Sequence, residues 1–222
     1  MLVLGIDTSC DDTAAGVVRL PGTVLSNEVA TQHDLHAAFQ GVVPEIASRA
    51  HTERVTLVIQ RALAKAGVTL ADLDAIAVTH RPGLVGALLV GLTAAKALSL
   101  ATGLPLIGVD HIEAHAIAAR GDHADLAYPF VALVVSGGHT ALYACRGPQS
   151  IERLGGTIDD AAGECFDKVA VLLGLPQPGG PQVSRLAQGG DPKKIAFPRA
   201  RVEGAPLDLS FSGLKTAVLY YL

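Results

Sequence analysis

Residues 111–115 read His-Ile-Glu-Ala-His. A helix turns by about 100° per residue, so His111 and His115 would lie about 40° apart and both imidazoles can reach one metal ion. Glu113 then falls on the far side of the helix. The zinc-protease pattern H-E-x-x-H instead sets its glutamate beside the first histidine, within reach of metal-bound water. The spacing here suits a metal site and lacks the general base of a zincin. A histidine pair at this spacing also occurs as plain surface or core decoration; its place just after a strand-like run favours the metal.

Other stretches carry polar groups in turns. GIDTSCDDT (5–13) puts Asp7 at the end of a strand, followed by a turn whose backbone N–H groups and hydroxyls can face a phosphate. Such turns are also Asp-, Thr- and Gly-rich for conformational reasons alone. VSGGHT (135–140) occupies the matching turn of a second strand pair, where paired glycines would let a ligand approach the backbone, although a glycine hairpin needs no ligand. In DDAAGECFDKVAVLLG (159–174), Asp160, Glu164 and Asp167 recur at helical spacing as an acidic stripe, with Asp160 the expected N-cap. PGGP (178–181) is a turn that either presents amides to a ligand or is plain loop. DPKKIAFPRARVEG (191–204) gathers Lys193, Lys194, Arg199 and Arg201 beside Phe197, as a solvated loop or a phosphate-gripping surface.

The elements that must position these groups follow a repeated plan. Strands are expected at 3–6, 14–20 and 24–30, then a helix over 45–66 stopped by Gly67. A strand at 75–79, an apolar helix within 84–104, a strand at 106–109 and a helix over 112–120 complete a first set. The pattern restarts with strands at 130–136, 139–145 and 150–156, a helix over 160–173, and helical stretches near 183–188 and 211–221. Two β-β-β-α-β-α-β-α copies form the α/β plan of the actin, sugar-kinase and Hsp70 superfamily, whose ligands sit between lobes. Residues 1–122 read as the first lobe, with the histidine pair. Residues 123–222 read as a second lobe that is truncated, lacking the strands and helices that would close its sheet.

Composition limits the alternatives. Half the residues are hydrophobic, 4% are aromatic and none is Trp, so the core is aliphatic. The apolar run 84–104 is long enough for a bilayer, but Lys96 sits mid-segment and Gly103-Leu104-Pro105 leads into a strand, so it reads as a buried helix and no membrane is expected. The N-terminus lacks a basic region and reads as structure, not as a signal peptide. A net charge of −4 means that nucleic-acid contact needs a local basic patch or another protein. Cys10, Cys145 and Cys165 are odd in number with no C-x-x-C, which suggests neither a disulfide framework nor a thiolate site and fits the cytoplasm.

Taken together, GIDTSCDDT, QGVVPEIASRAH, PGLVGALLVG, HIEAH, VSGGHT, DDAAGECFDK, PGGP and FSGLKTAV closely resemble the universal tRNA threonylcarbamoyladenosine synthesis family, long called O-sialoglycoprotein endopeptidase. The resemblance runs through the whole chain. It implies transfer of a threonylcarbamoyl group from threonylcarbamoyl-adenylate to N6 of adenosine 37 in tRNAs reading codons that start with A. On the family's pattern His111 and His115 hold one transition metal, iron or zinc, with magnesium expected on nucleotide phosphates. Val134, Val135, Ser136, Gly137 and Gly138 fall on the substrate loop. Asp167, Gly180 and Ser184 fall on further substrate contacts, and Asp11 on the carboxylate nearest the reacting centre. The implied partners are tRNA, a degenerate paralogue and an accessory ATPase in a bacterial-type complex.

The sequence also departs from that family. The family's third metal ligand is an aspartate near the C-terminus of a longer chain, with an Asn-rich nucleoside-binding stretch, and neither occurs in these residues; the chain alone is expected to be inactive or badly crippled. Arg81 stands where glycine is usual, Asp7 replaces the more frequent glutamate, and Gln40 alters a glycine. Two rival readings remain. An ATP-dependent small-molecule kinase of the same superfamily gives no reason for the histidine pair, and non-catalytic scaffold paralogues usually lack it.

Overall fold

The computed structural model describes residues 1–36, 39, 41–123 and 125–222, which divide into two compact units, Met1–Asp125 and Leu126–Leu222. Gln40 lies outside the described residues. In the first unit β1 (Leu2–Asp7), β2 (Asp12–Arg19) and β3 (Thr23–Thr31) form an antiparallel meander. β4 (Ala75–Arg81) and β5 (Leu106–Asp110) add in parallel, giving the order β3-β2-β1-β4-β5. The short helix α1 (His33–His36) was not legible in the sequence; α2 (Pro44–Ala66), α3 (Val85–Thr102) and α4 (His111–Asp122) lie where helical spacing puts them.

Helix α2 begins at Pro44, whose fixed φ and missing N–H suit a first turn. It stops at Gly67, left-handed at φ 68°, after which Val68 N bonds Leu63 O at 3.1 Å. Its Val55, Val58, Ile59 and Ala62 share one core with Leu4, Ile6, Val17, Ile76 and Val78 of the sheet. Burying such a side chain contributes about 1.5–3 kcal/mol, so Val58→Asp would lose that term and place an unpaired charge in the core.

Helix α3 is seated on the turn after β1 and on α2 through closely approached glycines. A Cβ on Gly83 would lie 2.5 Å from Ser9 O, one on Gly86 2.5 Å from Ser48 Oγ, and one on Gly91 2.5 Å from Thr8 Oγ1. Thr8 donates to Ala87 O at 2.7 Å and accepts from Gly91 N at 3.1 Å. Only one side of α3 is covered: Ala87, Gly91 and Ala95 are buried, whereas Val85, Leu89 and Leu100 are exposed. By length and composition alone α3 is apolar enough to cross a membrane. The expected enclosure of this helix thus holds for one face.

The second unit opens with β6 (Phe130–Val135), β7 (Thr140–Gly147) and β8 (Ser150–Gly156), an antiparallel meander in the order β6-β7-β8. α5 (Ala162–Leu172), α6 (Gly179–Leu186) and α7 (Ser212–Tyr221) follow. The meander repeats the order β1-β2-β3, but β6, the counterpart of β1, has no parallel neighbour among the described residues. Asp160 is not the N-cap of α5, which is Ala161. Its carboxylate is drawn away by Lys168 Nζ at 2.7 Å and Lys215 Nζ at 3.4 Å. Asp159 ties α7 down instead: its Oδ1 accepts from Phe211 N at 2.8 Å, and its Oδ2 from Ser210 Oγ at 2.5 Å and Ser212 Oγ at 2.6 Å.

Candidate active site

Parallel pairing puts the C-terminal ends of β1, β4 and β5 on one edge of the sheet, where open α/β sheets bind ligands. Asp7 ends β1, Arg81 ends β4, and Asp110 ends β5 immediately before α4. Asp110 caps α4, its Oδ1 accepting from Ile112 N at 2.9 Å and Glu113 N at 3.2 Å. Its Oδ2 lies 3.2 Å from Arg81 Nε. Arg81 therefore braces the cap of the histidine helix from a neighbouring strand.

His111 Nδ1 lies 3.0 Å from Asp7 Oδ2 and 3.2 Å from Ser9 Oγ. Ser9 N holds the other carboxylate oxygen at 2.7 Å. Burial alone would raise the Asp7 pKa, but the hydrogen bonds from His111 and Ser9 outweigh it and hold the carboxyl below its ordinary value. An ionised carboxylate only accepts, which assigns the His111 proton to Nδ1 and leaves a lone pair on Nε2. His115 Nε2 is 3.1 Å from that atom, with the rings edge to face at 4.4 Å. Burial, then the neighbouring His111, pushes the His115 pKa down, favouring the neutral imidazole that ligands require.

The pair fits a metal in donor type and spacing. With metal–nitrogen bonds of about 2.0–2.1 Å, one ion can span two nitrogens this close, and Asp7 stands in the carboxylate–histidine relation that orients a ligating imidazole. Glu113 is exposed and serves as the N3 residue of α4, consistent with the missing protease base. Among the described residues no group of three His, Cys, Asp or Glu could hold an ion. The histidines offer two donors.

Asp11 sits in the β1–β2 turn with Ser9, two residues from the hydroxyl that touches His111. Its Oδ2 lies 3.8 Å from His33 Nε2. Three consecutive carbonyls of the turn are held from behind: Ser9 O by Leu84 N at 2.8 Å, Cys10 O by His51 Nε2 at 2.9 Å, and Asp11 O by Gln32 N at 3.1 Å. Desolvation of the Cys10 thiol and the adjacent Asp11 carboxylate push its pKa up to about 12, which disfavours the thiolate. Ser9 is one of the turn hydroxyls the sequence offers, whereas His51, a histidine on a helix's buried face, carries no distinguishing signal there.

The remaining candidates belong to the second unit. Ser136 N donates to His139 O at 2.7 Å and closes the hairpin around Gly137 and Gly138. Neither glycine has positive φ, and a Cβ on either would meet open space, so the fold itself does not require them. Gly163, overlooked in the sequence, is required: its Cβ would lie 2.6 Å from Ser136 O and 2.7 Å from Gly137 Cα. The first turn of α5 is docked on the loop by Gly163 N to Ser136 O at 3.1 Å and Ala162 N to Thr140 Oγ1 at 2.9 Å. Val134 is buried in β6, while Val135 is exposed.

Asp167 and Gly180 are brought close, since Asp167 Oδ1 accepts from Gly179 N at 2.7 Å at the start of α6. That amide is thereby occupied by protein, and Ser184 lies exposed farther along α6. The acidic stripe is not free either: Glu164 and Asp160 both pair with Lys168.

The model of the tRNA N6-adenosine threonylcarbamoyltransferase family matches residues 23–222. The chain belongs to this family. It is 56% identical over 222 residues to the tRNA N6-adenosine threonylcarbamoyltransferase of Jannaschia sp. (strain CCS1), covering 99% of this chain and 62% of that protein. It is 57% identical over 220 residues to that of Anaeromyxobacter dehalogenans (strain 2CP-C), covering 99% and 66%. This threonylcarbamoyltransferase-family chain thus spans less than two thirds of the length of these relatives. Among solved structures, component A of (R)-2-hydroxyglutaryl-CoA dehydratase from Acidaminococcus fermentans matches with TM-score 0.54 at 12% identity, over 99% of this chain and 67% of that one. ROK hexokinase from Thermus thermophilus matches with TM-score 0.52 at 22% identity, over 87% and 71%. These likenesses give the fold alone.

Proposed function

We propose that the chain carries the catalytic half-site of a tRNA acyltransferase, moving threonylcarbamoyl from threonylcarbamoyl-adenylate to N6 of adenosine 37 in tRNAs that read codons starting with A. The observation that carries this reading, beside family membership, is the convergence of His111 and His115 with His111 held by Asp7. His111 and His115 hold one iron or zinc ion, which when bound polarises the acyl oxygen or steadies the phosphate. Magnesium accompanies nucleotide phosphates. Val134, Val135, Ser136, Gly137 and Gly138, with Asp167, Gly180 and Ser184, contact the adenylate, whose approach the open face of Gly137 and Gly138 favours. Asp11 accepts the proton that N6 loses as its bond to the carbonyl carbon forms; the carbon–oxygen bond to AMP breaks, and AMP leaves with that electron pair.

The chain is acidic overall, yet among the described residues Lys193, Lys194, Arg199 and Arg201 make no side-chain ion pair. That stretch is the proposed grip on tRNA phosphates, aided in the cytoplasm by a degenerate paralogue and an accessory ATPase. The test is incubation of the full-length protein and those partners with unmodified tRNA and threonylcarbamoyl-adenylate, followed by nucleoside mass spectrometry. Threonylcarbamoyladenosine is expected. Conversion of ATP and a sugar to ADP and a sugar phosphate by the protein without its partners would instead support a kinase, and no turnover with intact tRNA binding a scaffold.

A further inference from the structure

Behind the β1–β2 turn lies a buried polar relay that the reaction itself does not use. Val43 N donates to His36 Nδ1 at 3.3 Å, and His36 Nε2 faces Gln32 Oε1 at 3.3 Å. Gln32 Nε2 faces His51 Nδ1 at 3.3 Å, and His51 Nε2 faces Cys10 O at 2.9 Å. Thr13 Oγ1 adds a contact of 2.8 Å to His51 Nδ1. His36, Gln32, His51 and Thr13 are all buried.

The ends of this chain fix its polarity. A backbone N–H can only donate and a carbonyl can only accept, so Val43 makes His36 Nδ1 an acceptor and puts the His36 proton on Nε2. Gln32 then accepts through Oε1 and donates through Nε2, which makes His51 Nδ1 an acceptor and puts the His51 proton on Nε2, pointed at Cys10 O. Every link donates in the same direction, and aligned links of this kind polarise one another. Burial pushes the His51 pKa below its ordinary value, keeping the ring in the neutral form the relay needs.

We infer that His51 is a positioning residue: its Nε2–H fixes the Cys10 carbonyl and so aims the Cys10–Asp11 segment at the site. The inference rests on the reading of Asp11 as the carboxylate at the reacting centre. Its neighbours on either side are fixed by other elements, Ser9 O by the segment leading into α3 and Asp11 O by Gln32 N. Cys10 is the one carbonyl of the three that depends on a side chain. Loss of the His51 donor frees the middle of the turn while leaving its ends attached.

The test combines three variants with two readouts in the protein. His51→Gln places a donor where Nε2 was, His51→Asn places one only where Nδ1 was, and Thr13→Val removes a different bond to the same ring. The readouts are the amide NMR signals of residues 9–11 and calorimetric binding of AMP, the leaving group of the proposed reaction. His51→Asn should shift the Cys10 and Asp11 amides and weaken AMP by about tenfold, the scale of one buried hydrogen bond; His51→Gln should restore both, and Thr13→Val should leave both unchanged even where it lowers Tm. Effects that merely follow Tm across the three variants would overturn the inference. So would a nitrogen spectrum of the unaltered protein showing the His51 proton on Nδ1, a measurement that needs no variant. If the unaltered full-length protein binds no AMP, the adenylate reading fails, while the amide signals and the tautomer still decide the role of His51.

Discussion

Asp7 Oδ2 and His111 Nδ1 are 3.0 Å apart, and Asp7 belongs to the first strand while His111 opens a helix more than a hundred residues later. The contact turns Nε2 of His111 towards His115.

Asp7→Asn keeps the shape and removes the charge that holds the His111 tautomer. Metal affinity is expected to fall by about 10–100-fold, read by titrating zinc or iron into the purified protein. The double variant His111→Ala, His115→Ala should lose bound metal by elemental analysis. Unchanged metal content in the double variant would place the ion elsewhere.

Gly137→Val and Gly163→Ala should separate ligand access from folding. Valine at 137 points into open space, so Tm should stay while adenylate binding is lost. Even a methyl at 163 meets Ser136 O, so Gly163→Ala should cost about 1–3 kcal/mol in denaturant unfolding. Intact adenylate binding by folded Gly137→Val would remove this loop from the site.

Asp159 gives a stability profile against pH. Burial works to raise its pKa, but the bonds from Ser210, Ser212 and the Phe211 and Ser212 amides lower it well below the ordinary value. A carboxyl depressed in the folded state stabilises fully above its unfolded pKa of about 4, and the contribution is lost as pH falls through the folded value. Asp159→Ala should therefore lower Tm at neutral pH by more than in strong acid. An equal loss at both would show that the carboxylate charge is not what ties α7 down.

The fourfold alanine variant of Lys193, Lys194, Arg199 and Arg201 should keep adenylate binding and lose tRNA affinity. The log–log salt slope of tRNA binding should shrink by roughly one unit per charge removed. Wild-type tRNA modification by this variant at physiological salt would move the footprint to the partners.

Most of the fold was legible because each element has a clean period and a clear stop. The run 45–66 has helical spacing ended by Gly67, and the meander strands are separated by polar turns. Helix α1 was missed because four residues are too few to show a period. Asp160 misled because its residue type and position suit a cap, and only the fold reveals that Lys168 and Lys215 compete for it. The histidine pair could be read from helix geometry, whereas its link to Asp7 is a long-range pairing that no local pattern contains. Gly163 looked like a weak helix residue, and its necessity comes from a loop that approaches from another strand pair.

The seating of α3 on Ser9, Ser48 and Thr8 has a genetic corollary. Every missense change in a glycine codon introduces at least a Cβ, so at positions 83 and 91, where it would meet a backbone carbonyl and a buried, hydrogen-bonded threonine, no conservative replacement exists. Random mutagenesis of the run 82–91 should return inactivating changes at these codons regardless of the polarity or charge of the newcomer. At the outward-facing codons for Val85 and Leu89 on the same helix, survivors should be sorted by chemistry instead of by size.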